Sequence, residues 1–321
     1  MEIIKIAPPR TRHSVHAHRK LAVEEVKKRL GNAGLSLADA IRERELYFRI
    51  SVVGACNLSC EFCHNEGGPE KGMLGLDIAE KAIAAAVSVG FTRIQFTGGE
   101  PLVRKDISDF IRVGKCHAAD VGITTNGTYL ERELEHLVDA GITRIHVSLQ
   151  TESLIEAGSA TAWGVPDWLA PTIERANTGA FALRLNLPIP ADNLDEAEDF
   201  LHLLKEHRCG VRVFAVLPDK DADESAYPLG ELESMVARVQ ESRKNDSNCG
   251  EILLRGYRPP SGVRCPNCDE KERCKEQSHS LRLGVDLMLR PCLASRTWDI
   301  PLLLDPENET LSESALLALD Y

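Results

Sequence analysis

An α/β fold built on a parallel sheet is what this sequence predicts, and three observations predict it. Short apolar strands alternate with amphipathic helices in six successive units between residues 46 and 243. The conspicuous polar motifs all fall where those strands end. The chain has 321 residues, 43% of them apolar, enough for one large α/β domain with a small appendage.

Taken in order, residues 8 to 20 are basic and histidine-bearing (Arg10, Arg12, His13, His16, His18, Arg19, Lys20). They read as a solvated surface, because no carboxylate or thiol shares the spacing of the histidines. Residues 21 to 30 form an amphipathic helix stopped at Gly31-Asn32, so that 1–44 is a lead-in segment. Strands follow near 46 to 53, 92 to 97, 120 to 125, 143 to 149, 181 to 187 and 211 to 217. Helices between and after them cover 76 to 89, 105 to 117, 129 to 139, 168 to 177, 194 to 206 and 229 to 243, which makes 45–245 one strand-helix unit. Beyond Cys249 the composition turns to Pro, Gly, Arg and Cys, and 246–321 reads as a separate cysteine-rich module. Periodicity alone leaves open whether the sheet is an open doubly wound one or curls into a barrel.

A net charge of -11 argues against a nucleic-acid backbone as the main partner, since phosphate binding relies on clustered Lys and Arg. No run approaches the roughly 18 apolar residues of a membrane helix, and no apolar N-terminal core precedes a small-residue cleavage site. The expectation is a cytoplasmic protein with no membrane partner. Ten cysteines in a reducing compartment point to metal ligation before disulfides. They gather as Cys56, Cys60 and Cys63 early in the chain and Cys265, Cys268, Cys274 and Cys292 late, which suggests two metal centres.

The early set, Cys56-Asn57-Leu58-Ser59-Cys60-Glu61-Phe62-Cys63, can hold three corners of a 4Fe-4S cube and leave the fourth iron open for chemistry. By itself the triplet also suits zinc or a redox dithiol. Phe96-Thr97-Gly98-Gly99-Glu100-Pro101, at the C-terminal end of the second strand, narrows the choice. Together the two motifs resemble the radical S-adenosylmethionine (SAM) superfamily, with Phe62 in the aromatic position before the third thiol.

The resemblance implies a partial (βα)6 TIM-type barrel with a small cysteine-rich C-terminal module. It implies a 4Fe-4S cluster whose open iron is chelated by the methionine end of SAM. The turn Gly98, Gly99, Glu100 and Pro101 is then expected to bring backbone acceptors to the SAM ammonium, its glycines permitting close approach. Thr125, Asn126, Ser148 and Asn186, at later strand ends, are expected to contact SAM; turn chemistry and helix capping are the alternative for such residues. The implied partners are a small-molecule substrate and an electron donor such as flavodoxin or ferredoxin.

From about residue 49 to 292 the sequence most resembles the molybdenum-cofactor GTP 3',8-cyclase group. The matching words are Arg49-Ile50-Ser51-Val52, Gly98 through Arg104, Val147-Ser148-Leu149, His279-Ser280-Leu281-Arg282-Leu283 and Leu289-Arg290-Pro291-Cys292-Leu293. That group carries an auxiliary 4Fe-4S cluster that meets the purine, and arginines that grip the triphosphate. Here Lys275 and Ser278 stand where two auxiliary thiols belong, and Ser280 where a phosphate-binding arginine belongs. Cys265, Cys268, Cys274 and Cys292 are available instead. Four ligands would close a second 4Fe-4S cube into an electron carrier or brace, three would leave it open to substrate, and a four-thiolate zinc site is also compatible.

On this reading the protein is a radical SAM enzyme. The reduced cluster splits SAM to a 5'-deoxyadenosyl radical, which abstracts hydrogen from a small polar, nucleotide- or sugar-like biosynthetic intermediate. Arg49, Arg104, Arg255, Arg258 and Arg282 are the candidate anion-binding residues, with Arg184 beside them. Cys249 is the candidate catalytic hydrogen donor, ahead of Cys209 and Cys116, and an inert buried thiol is its alternative. Rival functions are GTP 3',8-cyclisation, modification of a peptide, and a non-catalytic thiol-rich metal-binding scaffold.

Overall fold

The computed structural model describes residues 46–60, 63, 66, 72–149, 166–190, 194–204, 210–216, 228–243, 252–255, 280–290 and 300–302. The expected lead-in 1–44, together with Phe62, Cys209, Cys249, Arg258, Cys265, Cys268, Cys274 and Cys292, lies outside the described residues.

Strands β1 (Tyr47–Val53), β2 (Arg93–Gly98), β3 (Asp120–Thr125), β4 (Arg144–Ser148), β5 (Ala182–Pro190), β6 (Gly210–Val216) and β7 (Ile252–Arg255) lie side by side in chain order. Every neighbouring pair among them is parallel. Helices α1 (Leu76–Ser88), α2 (Ile107–His117), α3 (Leu130–Asp139), α4 (Leu169–Asn177) and α5 (Leu194–Leu203) lie between the first six strands, and α6 (Leu229–Arg243) precedes β7. The sheet does not end at β1. Strand β8 (Ser280–Leu283) adds in parallel to the outer edge of β1, and β9 (Met288–Arg290) and β10 (Ile300–Pro301) continue it antiparallel. The chain therefore forms a partial barrel whose curled sheet includes strands from beyond the cysteine-rich stretch. Strands β7 and β8 carry only four residues each, too short a period for sequence alternation to reveal.

Alternation along the strands separates two faces. On one, Phe48, Ile50, Val52, Ile94, Phe96, Val121, Ile123, Ile145, Val147, Leu185, Leu187, Val211 and Val213 are almost completely buried and belong to the main core with the helices. Phe48 meets Phe91 with ring centroids 5.7 Å apart, and Phe96 meets Phe110 edge-on at 6.0 Å. Each such ring contributes about 1.5–3 kcal/mol through burial. Helix α1 supplies Ala79, Ala82, Ala85 and Ala86 around Ile83, small residues that let it lie close to the sheet. Helix α5 is tied to α6 by an Arg238–Glu198 pair outside the core. Among the described residues no helix is long and apolar enough to cross a membrane.

The other face of the strands carries Arg49, Ser51, Gln95, Thr97, Thr124, Arg144, His146, Ser148, Arg184, Asn186 and Arg212. This polar face is the barrel lumen. Its C-terminal end meets the loops that follow β1, β2 and β3, where parallel α/β folds place their chemistry.

Candidate functional site

The loop after β1 brings Cys56, Cys60 and Cys63 to the C-terminal end of the sheet, all three as thiols outside any disulfide. Cys56 Sγ accepts from the Leu58 amide at 3.4 Å and from Asn126 Nδ2 at 3.9 Å, and the Cys63 amide donates to the Cys60 carbonyl at 3.1 Å. Burial raises the pKa of Cys56, opposed by the Leu58 amide and reinforced by the charges of Glu100 and Cys63. Among the described residues no three His, Cys, Asp or Glu side chains converge as a single metal ion would require. A cube makes no such demand, because it takes each thiolate at a different iron. Three thiols on one loop at a sheet end are a donor set that fits an iron-sulfur cluster.

The turn after β2 is locked to this loop. The Gly99 amide donates to the Val53 carbonyl at 2.7 Å and the Glu100 amide to the Ala55 carbonyl at 2.9 Å. A Cβ on Gly98, whose φ is +152°, would lie 2.3 Å from the Val53 oxygen, and one on Gly99 2.1 Å from the Ala55 oxygen. The sequence reading attributed these glycines to approach of a ligand. In the structure, the close approach they permit is that of the thiol-bearing loop itself. Pro101 then opens a single 3-10 turn, Pro101–Val103.

Glu100 is 1% exposed and joins the two turns beneath the thiols. Its Oε1 accepts from the Leu102 amide at 2.8 Å and from the Thr125 hydroxyl at 2.7 Å, and its Oε2 from the Asn126 amide at 2.7 Å. Burial pushes its pKa up to about 7 despite those three donors. Asn126 in turn bonds Asn57 Oδ1 at 2.9 Å, so Glu100, Thr125 and Asn126 form one network with the loop of Cys56. Ser148 and Asn186 pair in register across β4 and β5, and the Asn186 Oδ1 is buried without a hydrogen-bond partner. An orphaned acceptor at this sheet end suits a bound donor. Thiols, orphaned acceptor and tight turns together fit a cluster with SAM beside it.

Arg49 and Arg282, in register on β1 and β8, converge on one carboxylate. Glu66 receives Arg49 Nε at 2.5 Å and Nη2 at 2.7 Å, and Arg282 Nε at 3.2 Å. Burial alone would raise the pKa of Glu66, but the two guanidiniums hold it down at about 2. Arg104 departs from its expected anion-binding role. It is 5% exposed, stacks over Phe110 at 4.4 Å, and directs its guanidinium to the Val52 and Leu74 carbonyls and to Asp106. Those contacts make it a brace. For Arg255 the structure describes only the strand position, in β7 opposite Phe214.

Sequence reasoning missed Glu66, Arg144, His146 and Arg212. Arg144 pairs with Asp120, donates to Gln95 Oε1 at 2.9 Å, and has its pKa pushed down to about 10, mainly by burial. Arg93 and Arg144 both stack on the Tyr47 ring, at 5.4 and 5.1 Å. His146 is 5% exposed, and burial followed by the charges of Arg144, Arg212, Arg184 and Arg49 drives its pKa well below the ordinary value. Four cationic strand residues can act on one imidazole only from within the lumen. The available signal was alternation, Arg144, His146 and Ser148 lying two apart in an otherwise apolar strand.

Comparison with known proteins agrees with this geometry. The family model described as the radical SAM superfamily matches residues 50–154. A GTP 3',8-cyclase of Listeria monocytogenes serotype 4b is 34% identical over 275 residues, spanning 79% of this chain and 80% of that protein. One from Peptoclostridium acidaminophilum is 31% identical over 271 residues, spanning 81% and 83%. Among solved structures, Streptococcus suis SuiB bound to S-adenosylmethionine superposes with a TM-score of 0.63 at 15% identity, over 85% of this chain and 67% of that one, a likeness of fold. The chain belongs to the radical SAM superfamily and is an enzyme of that superfamily.

Proposed function

We propose that Cys56, Cys60 and Cys63 hold a 4Fe-4S cluster with SAM beside it, and that the substrate is a small anionic molecule, phosphorylated and nucleotide- or sugar-like, bound in the barrel lumen. The observation that carries the substrate reading is the set of guanidiniums of Arg49, Arg144, Arg184 and Arg212 acting together on His146. Guanidinium forks in a low-dielectric lumen suit phosphate oxygens. When bound, cluster and SAM supply a 5'-deoxyadenosyl radical that abstracts hydrogen.

The chain's own residues then have these parts. Glu100, Thr125 and Asn126 fix the thiol-bearing loop against the strand ends, and Ser148 and Asn186 offer polar atoms to SAM. Arg184, whose guanidinium has no hydrogen-bond or ion-pair partner among the described residues, anchors the anion, while Glu66 orients Arg49 and Arg282. The division into a lead-in (1–44), a barrel (45–245) and an auxiliary module (246–321) is part of this proposal. So are a second cluster on Cys265, Cys268, Cys274 and Cys292, hydrogen donation by Cys249, and reduction by a flavodoxin or ferredoxin.

GTP 3',8-cyclisation is the second reading, favoured by relatives of that name matched over four fifths of their length. Lys275, Ser278 and Ser280 weigh against it, since they replace expected auxiliary thiols and an arginine. Anaerobic incubation with SAM, reductant and GTP tests both readings. Formation of 3',8-cyclised GTP establishes the second reading. Binding of GTP and release of 5'-deoxyadenosine without that product favours another phosphorylated substrate. Failure to bind GTP or inorganic triphosphate would overturn the anionic-substrate reading.

A further inference from the structure

His146 stands out in the lumen for what it lacks. It sits on β4 directly beside Arg184 of β5, 5% exposed, and among the described residues no hydrogen bond engages its ring. The surrounding side chains supply donors in excess, Arg144 from its own strand, Arg184 from β5, Arg212 from β6 and Arg49 from β1. A guanidinium donates and never accepts. The nearby acceptors are already engaged, Glu66 by Arg49 and Arg282, Asp120 by Arg93 and Arg144, and Gln95 Oε1 by Arg144. Asn186 Oδ1 lies further along β5, toward the strand ends where SAM is proposed to bind.

We propose that His146 is a specificity-determining residue: one ring nitrogen accepts a hydrogen bond from a hydroxyl or amine of the substrate, roughly one strand spacing, about 5 Å, from the anionic group held by Arg184. The inference rests on the anionic-substrate reading above and deepens it, because a bare polyanion has no such donor. A nucleotide or a sugar phosphate has one within that reach. Burial and the encircling positive charge keep the imidazole neutral, which preserves its lone pair at ordinary pH.

The test compares GTP with inorganic triphosphate, measuring binding of each to anaerobically prepared, cluster-loaded enzyme by calorimetry. His146→Leu removes the acceptor, and His146→Asn restores one in a smaller side chain. The expected result is that His146→Leu weakens GTP binding by about tenfold or more, equivalent to one lost hydrogen bond, and leaves triphosphate binding unchanged. His146→Asn recovers most of the GTP affinity. Unchanged GTP affinity in His146→Leu overturns the proposal, as does equal weakening for both ligands without rescue by His146→Asn. Wild-type enzyme that binds neither ligand removes the anionic-substrate reading itself, an outcome distinct from wild-type binding that ignores position 146.

Discussion

The carboxylate of Glu100 accepts the Asn126 amide proton at 2.7 Å, and this bond ties the turn after β2 to the turn after β3. Because Asn126 also reaches Asn57 and Cys56, the pair sets where the thiol-bearing loop sits relative to the lumen. Local sequence suggests none of this. The two residues are 26 apart and meet only because β2 and β3 are parallel neighbours.

The pKa of Glu100, raised to about 7 by burial, sets the sign of a pH dependence. In the unfolded chain the group titrates near about 4.3, so the folded state holds its proton more tightly. Its contribution to stability is complete below that value and is lost as pH rises through about 7. Urea unfolding of wild type and Glu100→Gln from pH 5 to 8 should show a wild-type decline that the variant lacks, amounting to about 3 kcal/mol at most.

Glu66 acts in the opposite sense, as a half-buried anion between two cations. Replacing it by Gln removes the negative charge that Arg49 and Arg282 share, and should cost about 3 kcal/mol of stability at neutral pH. In wild type this contribution persists above the unfolded carboxylate value and disappears as pH falls toward about 2. Thermal denaturation of Glu66→Gln beside wild type checks the first statement. An unchanged melting temperature would contradict it.

Gly99→Ala places a methyl group against the Ala55 carbonyl, which is backbone and cannot rotate away. The loop of Cys56 must shift, at a cost of about 1–3 kcal/mol. Iron and sulfide content after anaerobic reconstitution should drop well below wild type while helical circular dichroism is retained. Full cluster occupancy would show that the loop tolerates displacement.

Arg104 and Arg184 should separate stability from binding. Arg104→Met breaks bonds to the Val52 and Leu74 carbonyls and to Asp106, so the melting temperature falls while triphosphate affinity of the folded protein is kept. Arg184→Gln should leave stability within about 0.5 kcal/mol and weaken triphosphate binding. Thermal denaturation and calorimetry on both proteins decide the matter.

Much of this architecture was legible in the chain. Apolar alternation through Phe48, Ile50 and Val52, and again through Ile145 and Val147, marks strands with one side against helices. The thiol triplet and Gly98-Gly99-Glu100-Pro101 mark the end of the sheet that bears the site. What sequence could not supply were relationships between distant residues. Arg104 looked like an anion ligand until Val52 and Leu74 were found to occupy it, and Glu66 gave no sign of its two arginine partners. Strand β8 was hidden because four residues among prolines and cysteines carry little periodicity, and only its pairing with β1 reveals it.

The measurement that bears most directly on the central claim is the release of 5'-deoxyadenosine from SAM by anaerobically reconstituted, chemically reduced protein. Wild type should release it, and Cys60→Ala, folded to the same extent, should release none. Equal release by both proteins would contradict the assignment of Cys56, Cys60 and Cys63 as the cluster ligands.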